Sequence, residues 1–233
     1  LLFIDEIQEH PPALNILRYL YEQEPALPVI AAGSTLETAF DKNIHFPVGR
    51  VEYKILRPAS FLEFLGANGE MVALEKLQEI PLPDYAQDTL QRLFHTYALT
   101  GGMPEVVSHY AHNKDLTALV SIYDSLLTSY ADDVEKYANT SQQVQLIRHA
   151  IRSVFGEAGK RITFEGFGHS SYRSRDVKEA LIMLEKTFLI QLIYPQTNAT
   201  LPLMPDQKKK PRLQALDTGL LNYMAGIQTD IIQ

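Results

Sequence analysis

Two short apolar runs separated by one helix-length stretch constrain this chain more than any other feature. The first, residues 1–4, is continuously apolar and runs into two adjacent acids, Asp5 and Glu6. Pro11 and Pro12 then open a helical stretch to Gln23, with Leu14, Leu17 and Tyr21 on its apolar face; proline at a helix start costs no hydrogen bond. Pro25 and Pro28 bracket the turn into the second run, "PVIAAGS". Uninterrupted apolar character reads as a fully buried strand of the parallel type, and strand–helix–strand is the unit of an α/β layer. A short helix over 36–40 and a strand "VEYKIL" after Gly49-Arg50 complete the expectation for this part.

From Pro58 the pattern turns helical. Helices are expected over 60–65, 71–79, 84–99, 103–112, 115–137 and 141–155, with "PLPD" and "TGGMP" as the clearest breaks. The character changes again over 159–216. Here we expect a short element near 162–167, a helix over 174–187, and strands "FLIQLIY" and "RLQAL" on either side of a polar, Pro- and Lys-rich loop (195–211). A last short helix is expected over 217–224. These patterns divide the chain into an α/β part (1–57), a helical lid or linker (58–138), an α+β module (139–216) and the start of a further region (217–233).

Composition excludes several function classes. The 233 residues are 45% hydrophobic, enough for a real core, and include no cysteine. Disulfides and thiolate-bound zinc are therefore excluded, and a reducing cytoplasm is the expected setting. No apolar run reaches the roughly 18–20 residues that span a bilayer, so no membrane partner is expected. The net charge is −7, which argues against a protein that coats nucleic acid generally. The distribution is uneven: residues 1–147 hold 9 basic and 20 acidic side chains, residues 148–212 hold 12 and 6, and the remainder holds two acids. A segment of +6 thus sits on an acidic protein.

A strand that ends in Asp-Glu has a known chemical use. The first carboxylate can sit beside a nucleotide-bound Mg²⁺, usually through water, because magnesium prefers hard oxygen ligands. The second can orient and deprotonate the water that attacks the γ-phosphate. Both must project from the carboxyl end of a central strand, where open α/β sheets bind ligands. The alternative is an acid pair that caps the next helix or is simply solvated. Further along come "VIAAGSTLETAF" and "FPVGRVEYKILRPASFLEFL", then "YALTGGMPEVV" and "RLQALDTGLLNYMAG". In this order the patches resemble a family of predicted AAA-type ATPases from bacteria and archaea, whose C-terminal domain is of uncharacterised function. The resemblance runs from Leu1 to about Gly226.

The resemblance implies an α/β remnant of a P-loop ATPase core from the Walker B strand onward, then a mostly α-helical region with a winged-helix-like α+β module. It implies that Asp5 is the Mg²⁺-side acid and Glu6 the general base. Ser34 or Thr35 would be the sensor hydroxyl on the γ-phosphate or attacking water, although Ser34 at a helix start can equally be an N-cap. Arg50 would be an arginine finger or sensor, or else the partner of a structural carboxylate. ATP and Mg²⁺ are the cofactors of the intact protein.

A P-loop NTPase needs G-x-x-x-x-G-K-[ST], whose amides and lysine hold the phosphates. The 233 residues contain none; the one Gly-Lys, Gly159-Lys160, fails the pattern at Val154 and Arg161. We therefore expect a chain that begins inside an ATPase domain, does not hydrolyse ATP by itself, and leaves sheet edges open to pairing with a second copy as a homo-oligomer.

Residues 141–216 can be read as a winged helix, with 141–155 its first helix, 162–167 its second and 174–187 its third. Leu146, Ile147, Ala150, Ile151 and Val154 would face inward from the first, and Val177, Leu181, Leu184 and Phe188 from the third. Arg173, Arg175 and Lys178 then lie at the start of a recognition helix, with Lys208, Lys209 and Lys210 near the wing. Double-stranded DNA, held mainly by its phosphates, is the partner this suggests. The alternative for this segment is a winged helix used for packing or protein contact, and the alternative for the whole chain is a non-enzymatic winged-helix DNA-binding or protein-interaction module. His109 and His112, and the acidic run Asp132, Asp133 and Glu135, have no third ligand or pattern that would make them metal sites.

Overall fold

The computed structural model describes residues 1–33, 49–135, 138 and 140–227. They form two units, Leu1–Leu56 and Arg57–Gln233. The expected helix over 36–40 lies outside the described residues.

In the first unit, β1 (Leu2–Ile4) leads through a 3₁₀ turn (Ile7–Glu9) into α1 (Pro11–Gln23) and back to β2 (Val29–Ala31). The strands pair in parallel, with Leu2 opposite Val29, Phe3 opposite Ile30 and Ile4 opposite Ala31. Ile7 and Leu14 are buried and form the centre of this unit. Three sequence expectations are corrected here. The strands are not buried on both faces: Phe3 is 58% and Ile30 51% exposed, whereas their strand neighbours are half-buried. Successive strand side chains point to opposite faces, and among the described residues α1 is the helix that covers one of them. Tyr21, assigned to the apolar face of α1, is exposed as well. The expected strand over 51–56 is not formed, since no described strand lies alongside to accept its hydrogen bonds.

The second unit is mainly helical. It contains α2 (Phe61–Ala67), α3 (Met71–Leu77), α4 (Asp84–Thr100), α5 (Pro104–Asn113), α6 (Leu119–Glu135), α7 (Ser141–Gly156), α8 (Ser174–Lys186) and α9 (Thr218–Met224). The "SFLEFL" stretch has a local reason to start a helix. Ser60 accepts from the Glu63 amide at 3.3 Å while Glu63 accepts from the Ser60 amide at 2.7 Å, a capping box that satisfies two otherwise orphaned donors. Phe64 and Leu65 behind it are fully buried. Leu65, Ala73, Ala86, Leu90 and Leu93 join α2, α3 and α4 in a small core.

A larger core unites the rest. The five α7 residues expected to face inward are all buried, as are Val177, Leu181 and Leu184 of α8. After α8, β3 (Ile190–Ile193) pairs antiparallel with β4 (Arg212–Ala215), from Ile190 opposite Ala215 to Ile193 opposite Arg212. Residues 159–162 lie along the other edge of β4. Gly159 donates to Leu213 O (2.8 Å), Leu213 to Lys160 O (3.0 Å) and Ile162 to Pro211 O (2.9 Å), with a bridge between Arg161 and Arg212. This overturns the expected helix over 162–167. Its first residues are committed to extended pairing, and only a 3₁₀ turn, Phe167–His169, follows. No described helix is long and apolar enough to cross a membrane.

Candidate functional site

Asp5 and Glu6 stand at the carboxyl tip of β1, and both are exposed. The tip is laced to the exit of β2: Ala32 donates to Ile4 O (2.8 Å) and Ile7 donates to Ala32 O (3.0 Å), so the acid pair is bracketed by two bonds to one residue of the neighbouring strand. Glu6 sits in the left-handed region, φ 47°, which is uncommon for a residue with a side chain. Asp5 Oδ1 accepts from the Glu6 amide at 3.0 Å and steadies this turn. Neither acid caps the 3₁₀ turn through its side chain. Gln8 donates through Nε2 to Glu6 Oε2, while Gln8 Oε1 is buried with no partner among the described residues.

These donors suit a hydrated magnesium ion. The set is all oxygen, and magnesium characteristically keeps several waters and takes one or two carboxylates; bound water would also offer a donor to Gln8 Oε1. A closed protein cage is a different matter, and no cluster of three or more metal-ligating side chains occurs among the described residues. The phosphates of a nucleotide are not provided for, since the 233 residues contain no P-loop.

The remaining strand-tip candidates divide. Ser34 and Thr35 lie outside the described residues. Arg50 is not beside the acids. Its guanidinium meets Glu22 Oε1 at 3.0 Å, and Arg18 reaches the same oxygen at 3.1 Å. Glu22 is in the last turn of α1, roughly 16 Å along the helix from its start, whereas the acid pair precedes that start. Hydrogen bonding from Arg18, then the charges of Arg18 and Arg50, holds the Glu22 carboxyl below its ordinary range.

In the basic segment, Arg173 and Arg175 are exposed at the start of α8 and Lys178 is half-buried. Arg175 is bonded to Glu179 one turn on, at 3.0 Å. Lys208, Lys209 and Lys210 are exposed just before β4. His109 and His112 are engaged on their own helix, His112 Nδ1 with Ser108 O and His109 Nε2 with Asn113.

One polar site was missed from the sequence. Asp217, 5% exposed, accepts from the Gly102 amide at 2.7 Å and the Leu220 amide at 3.0 Å, and a third bond comes from the Gly219 amide. Around it, Tyr123 donates to Thr100 O at 2.7 Å and Asn222 to Ala98 O at 2.8 Å. The "TGG" and "DTG" stretches, more than a hundred residues apart, thus form one knot that ties the end of α4 to the start of α9. A β-carbon at Gly102 would lie 2.1 Å from Ala59 O, and one at Gly219 would lie 2.1 Å from Thr100 O. Both glycines are required by close backbone approach. Burial raises the Asp217 carboxyl above its ordinary value, partly opposed by its three amide donors. The available signal was the Asp-Thr-Gly following a strand, which has the form of an N-cap.

Residues 1–65 match the family model of an AAA domain, and residues 91–231 match that of a domain of unknown function, DUF8612. No curated protein and no solved structure matches the chain. With an ATPase-type AAA region at residues 1–65 and more than half its length matched downstream, the chain belongs to the DUF8612 family.

Proposed function

We propose that residues 1–65 supply the Walker B half of an AAA-type ATPase that hydrolyses Mg-ATP, with Asp5 on the metal side and Glu6 as the base that activates water. The observation that carries this reading is the tip of β1: two adjacent carboxylates, open to solvent, at the carboxyl end of a parallel strand and bracketed by the exit of its neighbour. Ligands of open α/β sheets bind at that end. Glu6 is held in an uncommon backbone conformation, and such residues gather at functional sites. Asp5 would orient a magnesium-bound water, and Glu6, freed from any capping role, would accept a proton. Ser34 or Thr35 is proposed as the sensor hydroxyl. Arg50 is proposed as a sensor only in an arrangement that releases it from Glu22. Because these residues contain no phosphate-gripping loop, turnover is proposed for a chain that supplies one. The lack of cysteine supports a reducing, cytoplasmic setting.

Two forms of the protein test this reading. The 233-residue chain should show no submicromolar, Mg²⁺-dependent ATP binding by calorimetry. A longer chain carrying G-x-x-x-x-G-K-[ST] upstream of Leu1 should turn ATP over. There Glu6→Gln should lower the rate about a hundredfold or more while ATP still binds. Tight binding by the shorter chain, or undiminished turnover by Glu6→Gln, would refute it.

A second reading concerns duplex DNA. It is supported by the connectivity of residues 141–216: a helix, an extended edge at 159–162, a short turn, the helix α8, and a hairpin whose second strand pairs with that edge. Apart from the second helix, which is reduced to a 3₁₀ turn, this follows the order of elements in a winged helix, with β3–β4 as the wing. The charge of +6 over 148–212, with Arg173, Arg175 and Lys178 on the helix and Lys208, Lys209 and Lys210 at the wing, favours contact with phosphates. Absence of a gel shift with duplex at low salt would remove this reading.

A further inference from the structure

The loop between β3 and β4 is closed at its base and apolar at its end. Asp206 makes the closure. Its amide donates to Pro195 O (2.8 Å), and its carboxylate accepts from the Thr197 hydroxyl (2.8 Å) and the Lys208 amide (3.1 Å). Residues 198–205 lie beyond this neck. There Leu201 is 85%, Leu203 55% and Met204 68% exposed. Three neighbouring large apolar side chains in water are costly unless something covers them. Lys208, Lys209 and Lys210 follow directly, all exposed. An apolar end on a cationic base fits a partner with an apolar interior beneath an anionic skin.

We propose that this loop is a wedge for duplex DNA: the lysines neutralise phosphates while Leu201, Leu203 and Met204 enter the minor groove and part a base step. The inference rests on the DNA reading above and adds deformation of the duplex to it. Leucine, methionine and proline are the side chains that act as such wedges elsewhere, unstacking bases and bending the helix towards the major groove. An anionic bilayer has the same layered chemistry. The duplex is favoured because the module exposes a second cationic element, the start of α8 with Arg173 and Arg175, built on the same hydrophobic core as the hairpin. A helix start beside a loop suits a duplex, whose major groove takes the one and whose minor groove takes the other. Parting a base step also makes the contact depend on sequence, favouring flexible pyrimidine–purine steps such as TA.

The test uses the whole 233-residue chain and a 25-base-pair duplex with a central TA step, labelled at both ends so that bending raises energy transfer. Wild type should bind and bend it, with affinity falling steeply as salt rises. Replacing the three lysines by alanine (K208A/K209A/K210A) should weaken binding about tenfold or more and flatten the salt dependence. Replacing the apolar end (L201S/L203S/M204S) leaves the neck and the core untouched. It should keep the salt dependence, abolish the bend and weaken binding about fivefold to tenfold. If wild type binds no duplex at 50 mM salt, the DNA reading and the wedge both fail. If it binds and the apolar variant bends the duplex as wild type does, the wedge alone fails. Loss of binding to phosphatidylserine vesicles in the apolar variant, with duplex bending unchanged, would assign the loop to a membrane surface and overturn the proposal.

Discussion

Two strands in this molecule are followed closely by an aspartate, and the two carboxylates have opposite surroundings. Asp217, just past β4, is buried, and three backbone amides donate to it. It caps α9 and spans to Gly102, 115 positions away in the chain. Asp5, just past β1, is exposed and among the described residues bonds the next amide in the chain, and Glu6 beside it does not cap the 3₁₀ turn through its side chain. The difference teaches how to tell a structural acid from an available one. A carboxylate buried in its own fold and bonded by three amides has little capacity left with which to meet a metal or a water. One left open at a strand tip, beside a strained backbone, keeps its acceptors for a ligand. The capping alternative that stood against a role for the β1 acids is realised at Asp217, where Thr-Gly follows and lets the backbone close in.

The comparison can be broken most sharply by deletion. Asp217→Ala strands buried amide donors and should cost about 3 kcal/mol of stability, read from urea unfolding, whereas Asp5→Ala should leave the midpoint unchanged. Equal effects at the two sites would erase the distinction. Gly219→Ala tests the same knot by steric means. Its β-carbon meets Thr100 O, a backbone atom that cannot swing aside, and about 2–3 kcal/mol should be lost.

A pH series sharpens the contrast further. Burial raises the folded-state pKa of Asp217 above its ordinary 3.8, so the folded protein binds the proton first. Between the ordinary value and the raised one the folded state holds more protons than the unfolded state, and stability from this group rises as pH falls. The stability difference between wild type and Asp217→Asn should therefore shift in favour of wild type on acidification from neutral pH towards 3.8. A difference that is flat with pH, or of the opposite slope, would show that the amide donors outweigh burial. The smallest effect belongs to the open site. Glu6→Gly relieves the left-handed backbone at φ 47° and should stabilise the first unit by about 1 kcal/mol, seen as slower hydrogen exchange over residues 1–33. Exchange that is unchanged or faster in Glu6→Gly would show that the left-handed backbone there costs the fold nothing.

Much of the helical architecture was legible in advance because it is governed by local rules. The apolar spacing in α7 and α8 selects a buried face within a single element, and the proline pair before α1 marks its start. Tyr21, placed on the wrong face of α1, and Phe188, which lies past the end of α8, were local errors; the others were non-local. Residues 162–167 read as a weak helix, yet 159–162 pair beside β4, fifty positions downstream. The 51–56 stretch has strand composition but no described neighbour. Phe3 and Ile30 read as buried because continuous apolar character cannot say how many faces are covered. At the candidate site, the acid pair and its strand were visible as residue types in a row. The pairing of Arg50 with Glu22 and the left-handed Glu6 were not.

By itself the sequence determined where the long amphipathic helices lie, where charge accumulates, and that an acid pair ends the first strand; these depend on neighbours within a turn or two, and periodicity and composition record them directly. Only the tertiary structure decided which acid is consumed and which is open, that "TGG" and "DTG" are halves of one knot, and that an apolar loop end stands clear of the core. Each of those depends on what distant backbone comes to lie alongside, and hydrogen-bond satisfaction and burial are properties of that assembled neighbourhood rather than of any stretch of chain.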